Sequence, residues 1–159
     1  MKKIVSVLYA HLVKRRNKKW IDSPIKWQTN TFKKLIKNGV KTEFGKNHDF
    51  ENIQSYEQYK KKVPVRDYED LRPYIEKVVN GEKDILWPGK PLYFAKTSGT
   101  TSGAKYIPIT KESIKTHIRS ARDALLNYFL KTKNFKPLNG KHMFLQGSPE
   151  RSEERRVGK

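Results

Sequence analysis

Apolar positions recur every three to four residues along most of this chain, and that spacing predicts a run of amphipathic helices. From residue 4 to residue 20, Ile4, Val5, Leu8, Leu12 and Val13 fall on one helical face, and the lysines and arginines of the C-terminal end suit the helix dipole. Asp22-Ser23-Pro24 is a restart signal, a capping residue followed by proline at the first helical position. The next helix carries Ile25, Gln28, Phe32, Leu35 and Ile36 and is expected to stop at Gly39. Thr42 to Ile53 has no such spacing and reads as loop. Ser55-Tyr56-Glu57-Gln58 has the form of a capping box, so a short helix should run to about Lys62, where Val63-Pro64-Val65 forces extended chain. Asp67 or Asp70 then opens a helix with Leu71, Tyr74, Ile75, Val78 and Val79 on one face, closed by Gly81. Pro73 is tolerable there only in the first turn.

The period then changes. Leu92 to Ala95 and Tyr106 to Ile109 read as short strands, with Pro108 placing the second at an edge or bend. Thr110 is a natural N-cap for the longest helix, Lys111 to Lys131, whose expected inner face is Ile114, Ile118, Ala121, Leu125 and Phe129, with Leu126 also deep. Pro137 and Asn139-Gly140 break the chain before a further apolar strand at Met143-Phe144-Leu145. Helices first, then β with an intervening helix, make the fold class α/β or α+β.

Composition narrows the picture only in part. The 159 residues are enough for one domain, and every Trp, Tyr and Phe except Phe144 falls between Tyr9 and Phe135, too evenly spread for a disordered tract. There are 35 Lys and Arg against 16 Asp and Glu, a net charge of +19. That charge raises the possibility of a small basic nucleic-acid-binding protein. Most of the lysines are scattered among acidic residues, as on a solvated surface, and the only dense basic block is Lys14-Arg15-Arg16-Asn17-Lys18-Lys19. The absence of cysteine excludes disulfides and thiolate metal sites, and the four histidines never pair closely. The N-terminal apolar run is short and ends in the basic block without a cleavage site, so a cytoplasmic location and no membrane partner are expected.

Chemistry concentrates between the two strands. Thr97-Ser98-Gly99-Thr100-Thr101-Ser102-Gly103 is a run of small residues with five hydroxyls and two glycines, followed by Ala104 and Lys105. Successive backbone N–H groups with little bulk around them can enclose an anion, and hydroxyls add donors. By itself such a run is either a phosphate cradle or a flexible surface loop. It is not the P-loop of nucleoside triphosphatases, because Gly99 and Gly103 enclose three residues and Ala104 separates Gly103 from the lysine. Nor is it a dinucleotide-binding turn, because no Gly-x-Gly opens a helix.

Strand, Thr-Ser-Gly-Thr-Thr-Ser-Gly-x-Lys, strand resembles the phosphate loop of the acyl-adenylate-forming superfamily. It is more similar still to the acyl acid–amido synthetases of auxin-responsive plant proteins and their bacterial relatives. Pro24 to Phe32, Thr42 to Lys46, Val63 to Glu69, Tyr74-Ile75, Gly81-Glu82, Ile85 to Gly89, Phe94 to Thr110 and Met143 to Pro149 all resemble that branch. The resemblance implies a ligase that uses ATP with Mg2+ to adenylate a small carboxylic acid, then passes the acyl group to an amine, typically an amino acid. It implies that Ser98, Gly99, Thr100, Thr101, Ser102 and Gly103 wrap the β- and γ-phosphates of the bound nucleotide, with Thr97 starting the turn. Lys105 adds charge there or points to solvent, and no residue of the loop is an evident catalytic base. Tyr93, Phe94 and Tyr106 are expected in the core rather than against adenine.

Residues 1–150 are thereby expected to form the N-terminal portion of the large adenylate-forming domain, in which the phosphate loop sits on the start of a mixed sheet. The motifs for adenine, ribose and the acyl group would lie beyond it. Residues 151–159 are unlike the family and read as foreign sequence after a truncation, so the fragment alone is expected to be inactive and could lack the strand partners it needs to fold.

Overall fold

The computed structural model describes residues 2–97 and 105–140. Their order is α1 (Lys2–Asp22), α2 (Pro24–Gly39), α3 (Glu43–Asn47), a 3-10 turn at Phe50–Asn52, α4 (Tyr56–Lys62), α5 (Tyr68–Val79), β1 (Tyr93–Lys96), β2 (Tyr106–Ile109), α6 (Lys111–Thr132) and a second 3-10 turn at Lys136–Asn139. This is an α+β chain, mostly helical, with one two-stranded antiparallel sheet among the described residues. No helix among them is long and apolar enough to cross a membrane. The chain divides into two compact units, Met1–Lys18 with His117–Lys159, and Lys19–Thr116.

In the first unit the core is Ala10, Val13, Leu126 and Phe129, with Leu125, Leu130, Phe135 and Leu138 packed around it. Phe129 is fully buried, its ring centroid 5.4 Å from that of Phe135. The expected face of α1 is not the one that packs. Val13 is buried, but Ile4, Val5, Leu8 and Leu12 stand exposed. The seam runs instead through Ser6, Ala10, Val13 and Asn17, where small side chains let a neighbouring helix approach. The face of α6 is rotated likewise, toward Leu126 and Phe129, leaving Ile118 exposed.

A polar lock at one end of the seam accounts for the rotation. Asp123, with a side chain 14% exposed, accepts hydrogen bonds from Arg16 at 2.5 Å, from Arg122 at 2.9 Å and from Asn17 at 3.5 Å. Burial opposes its charge, but the bonds from Arg122, Arg16 and Asn17 outweigh that, and the carboxyl is held below the usual aspartate value. A carboxyl lowered in the folded state stabilises above its unfolded pKa, near 3.9, and stops doing so as pH falls through its folded value. Thermal melts at pH 7 and at successively lower pH should therefore show the wild type ahead of Asp123→Asn by about 1 kcal/mol at neutral pH. The gap should shrink below about pH 4; a gap independent of pH would contradict the lock.

The second unit is built on Ile36, Phe50 and Ile53, against which Phe32, Val40, Phe44, Tyr59 and Val63 pack. Phe32 and Ile36 thus face inward on α2 as expected, whereas Ile25, Gln28 and Leu35 do not. The 42–53 segment is not a plain loop. Thr42, 1% exposed, caps α3 by accepting from the Gly45 N–H at 3.0 Å and donates its own hydroxyl to Gly39 O at 2.7 Å. The free amides of Glu43 and Phe44 donate to Asp84 O and Ile85 O at 2.8 and 3.0 Å. Gly39 ends α2 by allowing close approach, since a Cβ there would lie 2.9 Å from the Phe50 ring.

His48 is buried, its ring stacked on Phe44 at 4.1 Å. Its Nδ1 lies 2.7 Å from Phe44 O, and its Nε2 faces Arg66 Nη2 at 3.1 Å. Both ring nitrogens are thereby engaged within the unit, and the ring serves the packing of α3.

At α2 the restart signal holds only in part, since Pro24 opens the helix but the Ser23 side chain caps no amide; the later start signals hold. Ser55 caps α4 by accepting from Gln58 N at 3.2 Å, although the Gln58 side chain turns back to Gln54 N rather than to Ser55. Asp67, not Asp70, caps α5, and the two form a reciprocal capping box. Pro73 consequently sits inside the helix rather than in its first turn. Ile75 and Val78 are the buried residues of α5. Thr110 caps α6 through Ser113, whose Oγ accepts in return from the Thr110 N–H at 3.0 Å.

Candidate functional site

The hydroxyl-rich stretch is carried on a hairpin. β1 pairs with β2 in antiparallel register, Tyr93 opposite Ile109, Phe94 opposite Pro108, Ala95 opposite Ile107 and Lys96 opposite Tyr106. β1 starts one residue later than expected, and β2 coincides with the expected strand. Beyond the ladder the Thr97 N–H donates to Lys105 O at 3.0 Å, which ties the two ends of the stretch together. Thr97 and Lys105 are therefore brought side by side. Ser98, Gly99, Thr100, Thr101, Ser102 and Gly103 lie outside the described residues, as does the apolar segment Met143-Phe144-Leu145.

Helix α5 positions the hairpin. Its first residue, Tyr68, accepts a 2.8 Å hydrogen bond from the Tyr106 N–H, the first amide after Lys105. Lys105 Nζ lies 5.2 Å from the Tyr68 ring centroid, and the Arg72 guanidinium lies 5.8 Å from it, both within cation–π range. Arg72 is gripped by Glu69 through two hydrogen bonds, Nε at 2.6 Å and Nη2 at 2.8 Å. The Arg72 hydrogen bonds hold the Glu69 carboxyl below its usual range, with a smaller contribution from the Lys105 charge. On the strands themselves, Lys96 Nζ stands 5.9 Å from the Tyr106 ring, and Phe94 meets that ring edge-on at 6.2 Å. Behind the hairpin a recess of only about 20 Å3 remains among Val78, Ile85, Trp87, Pro91 and Pro108, so β2 sits closely on the end of α5 and the segment after it.

Lys96 and Lys105 thus stand at the two ends of the stretch, Lys105 sharing the Tyr68 ring with Arg72, and of these three cations only Arg72 is spent on a carboxylate among the described residues. That arrangement suits a polyanion rather than a cation. Among the described residues no cluster of three acidic or imidazole side chains is placed to hold a metal ion. Of the aromatic residues expected in the core, Phe94 and Tyr106 are half-buried against each other, but Tyr93 is 47% exposed. Tyr68, which meets both the Tyr106 amide and Lys105, is the side chain at the base of the hairpin that the sequence reading passed over. Its signal was present, because residues 68, 71, 75 and 78 continue one stripe of α5 by a turn.

Comparison with known proteins bears on the whole of this framework. Residues 14–157 match the family model described as the GH3 family N-terminal domain. A jasmonoyl–L-amino acid synthetase of Oryza sativa subsp. japonica is 28% identical over 126 residues, 77% of this chain and 21% of the relative. An indole-3-acetic acid-amido synthetase of Arabidopsis thaliana is 36% identical over 94 residues, 57% of this chain and 16% of the relative. A 4-substituted benzoates-glutamate ligase of the same plant is 35% identical over 79 residues, 49% of this chain and 14% of the relative. The chain spans about a fifth, or less, of the length of these curated relatives.

Proposed function

The chain belongs to the GH3 family, and from that membership we propose that it is the N-terminal part of an ATP-dependent ligase that adenylates a carboxylic acid and transfers the acyl group to an amine, most simply an amino acid. The relatives named above are amido synthetases and ligases that join acids to amino acids, which supports the general class. The observation that carries the ATP reading is the hairpin, a stretch of hydroxyls and glycines pinned at its base by Thr97 and Lys105 with Lys96 and Lys105 beside it. Residues 1–150 are then the start of the large adenylate-forming domain, with the remaining site residues supplied from outside this chain.

In this reading Thr97, Ser98, Gly99, Thr100, Thr101, Ser102 and Gly103 hold the β- and γ-phosphates, with Lys105 as the adjacent charge. When a carboxylate attacks the α-phosphorus, negative charge builds on the departing pyrophosphate, and donors already oriented toward it lower the barrier. Mg2+ would enter with the nucleotide and neutralise part of the phosphate charge. The loop binds and positions; it supplies no base.

ATP–pyrophosphate exchange by the full-length protein, across a panel of carboxylic acids, tests the reading. Exchange with at least one acid is expected, and its absence from a folded protein with every acid would refute the assignment. Ser98→Ala and Thr101→Val should each slow exchange about tenfold, the worth of one hydrogen bond to a charged group, while acid affinity changes less. Equal losses in both would reduce the loop to a structural element.

A further inference from the structure

We infer that Tyr68 is a positioning residue for the Thr97–Lys105 loop, holding both the peptide that leaves the loop and the ammonium group of its lysine. The inference rests on the phosphate-binding reading of that loop. A trans peptide directs its C=O and its N–H to opposite sides. At the Lys105–Tyr106 peptide the C=O faces β1 and accepts from Thr97 N–H at 3.0 Å. The N–H therefore faces the outer side of β2, where no strand of the two-stranded sheet can meet it. Tyr68 Oη meets it there at 2.8 Å. The peptide is gripped from both sides, and its plane is set by α5 as much as by the sheet.

The same ring acts on the side chain. Lys105 Nζ rests 5.2 Å from the Tyr68 centroid, and no ion pair engages it among the described residues. The nearby carboxylate, Glu69, is already committed to Arg72 through two hydrogen bonds. An aromatic face orients an ammonium without neutralising it, so the charge of Lys105 stays available to an anion. Tyr68 is itself well held. It opens α5 inside the Asp67–Asp70 capping box, on the same stripe as the buried Ile75 and Val78. Donors stabilise a developing charge only if they need no reorganisation at the moment of reaction, and anchoring the loop's exit to a capped helix serves that requirement.

Tyr74 is a matched control on the same helix. Its hydroxyl accepts from Asn47 Nδ2 at 3.0 Å, away from the hairpin. In the full-length protein, Tyr68→Phe should raise the KM for ATP in pyrophosphate exchange about tenfold, leave the KM for the acid unchanged, and melt alongside Tyr74→Phe. Tyr74→Phe should keep wild-type exchange. Tyr68→Leu, which also removes the face beneath Lys105, should raise the ATP KM further than Tyr68→Phe. The positioning role is overturned if Tyr68→Phe matches Tyr74→Phe in its ATP KM, or if both substrates' KM values rise together. A wild type that exchanges with no acid would remove the phosphate-loop reading itself, and the role with it. An active wild type with an indifferent Tyr68→Phe removes the role alone.

Discussion

Gly45→Ala is expected to cost more than about 3 kcal/mol and to lower the melting midpoint more than the same change at any other glycine among the described residues. The added Cβ would lie 1.9 Å from Gly39 O and 2.8 Å from Gly39 C, and both are backbone atoms. Neither can swing aside as a side chain would. Relief means parting α3 from the end of α2, and that parting breaks what joins them. Thr42 Oγ1 accepts from Gly45 N at 3.0 Å and donates to Gly39 O at 2.7 Å, and the Thr42 N–H donates to the same carbonyl at 3.0 Å. Thr42 is only 1% exposed, so a broken bond there leaves polar atoms without water. Gly39→Ala is the informative comparison. Its Cβ would meet ring carbons of Phe50 at 2.9 Å, and a ring can shift by a few tenths of an ångström. It should cost about 1–3 kcal/mol. Denaturant melts of the two variants beside wild type decide the matter: equal costs would mean that the close approach of backbones at Gly45 is not the constraint it is taken to be.

Phe129→Ala should cost about 3–5 kcal/mol, the usual toll for emptying an aromatic site that cannot collapse. Phe129 is the centre of the first unit, with Ala10, Val13 and Leu126 buried beside it and the Phe135 ring tilted against it at 5.4 Å. Ile118→Ala on the same helix removes as many carbon atoms as a typical core truncation, yet Ile118 is 64% exposed and should lose no more than about 0.5 kcal/mol. A melt in which the two variants lose comparable stability would restore the helix face that the sequence pattern suggests and contradict the packing described here.

Helices α1 and α6 mark where the sequence pattern stops being enough. Starts of helices were legible because caps are local chemistry: Ser55, Asp67 and Thr110 each bond an amide three residues on. The hairpin was legible too, from two short β-rich runs bracketing a run that could not continue either one. Faces were harder. α1 carries apolar residues on two sides, and periodicity alone favours the larger ones, Ile4, Leu8 and Leu12. The packed side is decided by what allows close approach, Ala10, and by an ion pair, Arg16 with Asp123, whose partners are 107 positions apart. α3 was missed because five residues are too few to show a period, and its signal is a single threonine cap. At the candidate site, Thr97 and Lys105 announce themselves by composition and motif. Tyr68 shows in the sequence only as part of the inward stripe of α5; its partner does not, since the bond to Tyr106 crosses 38 positions and depends on how α5 docks.

That docking has a consequence for hydrogen exchange. Amides inside a helix exchange through local fraying, but the Tyr106 amide is protected by a side chain from α5, so it opens only when the helix and the hairpin separate. The amides of Glu43 and Phe44 are protected by carbonyls of Asp84 and Ile85, with Lys77 and Glu43 clasped across the same junction at 2.7 Å. Three exchange rates thus separate two openings, one at the loop exit and one where α3 meets the chain before β1. An anion bound in the loop would slow the first without touching the second, which makes the Tyr106 amide a reporter of occupancy that requires no turnover.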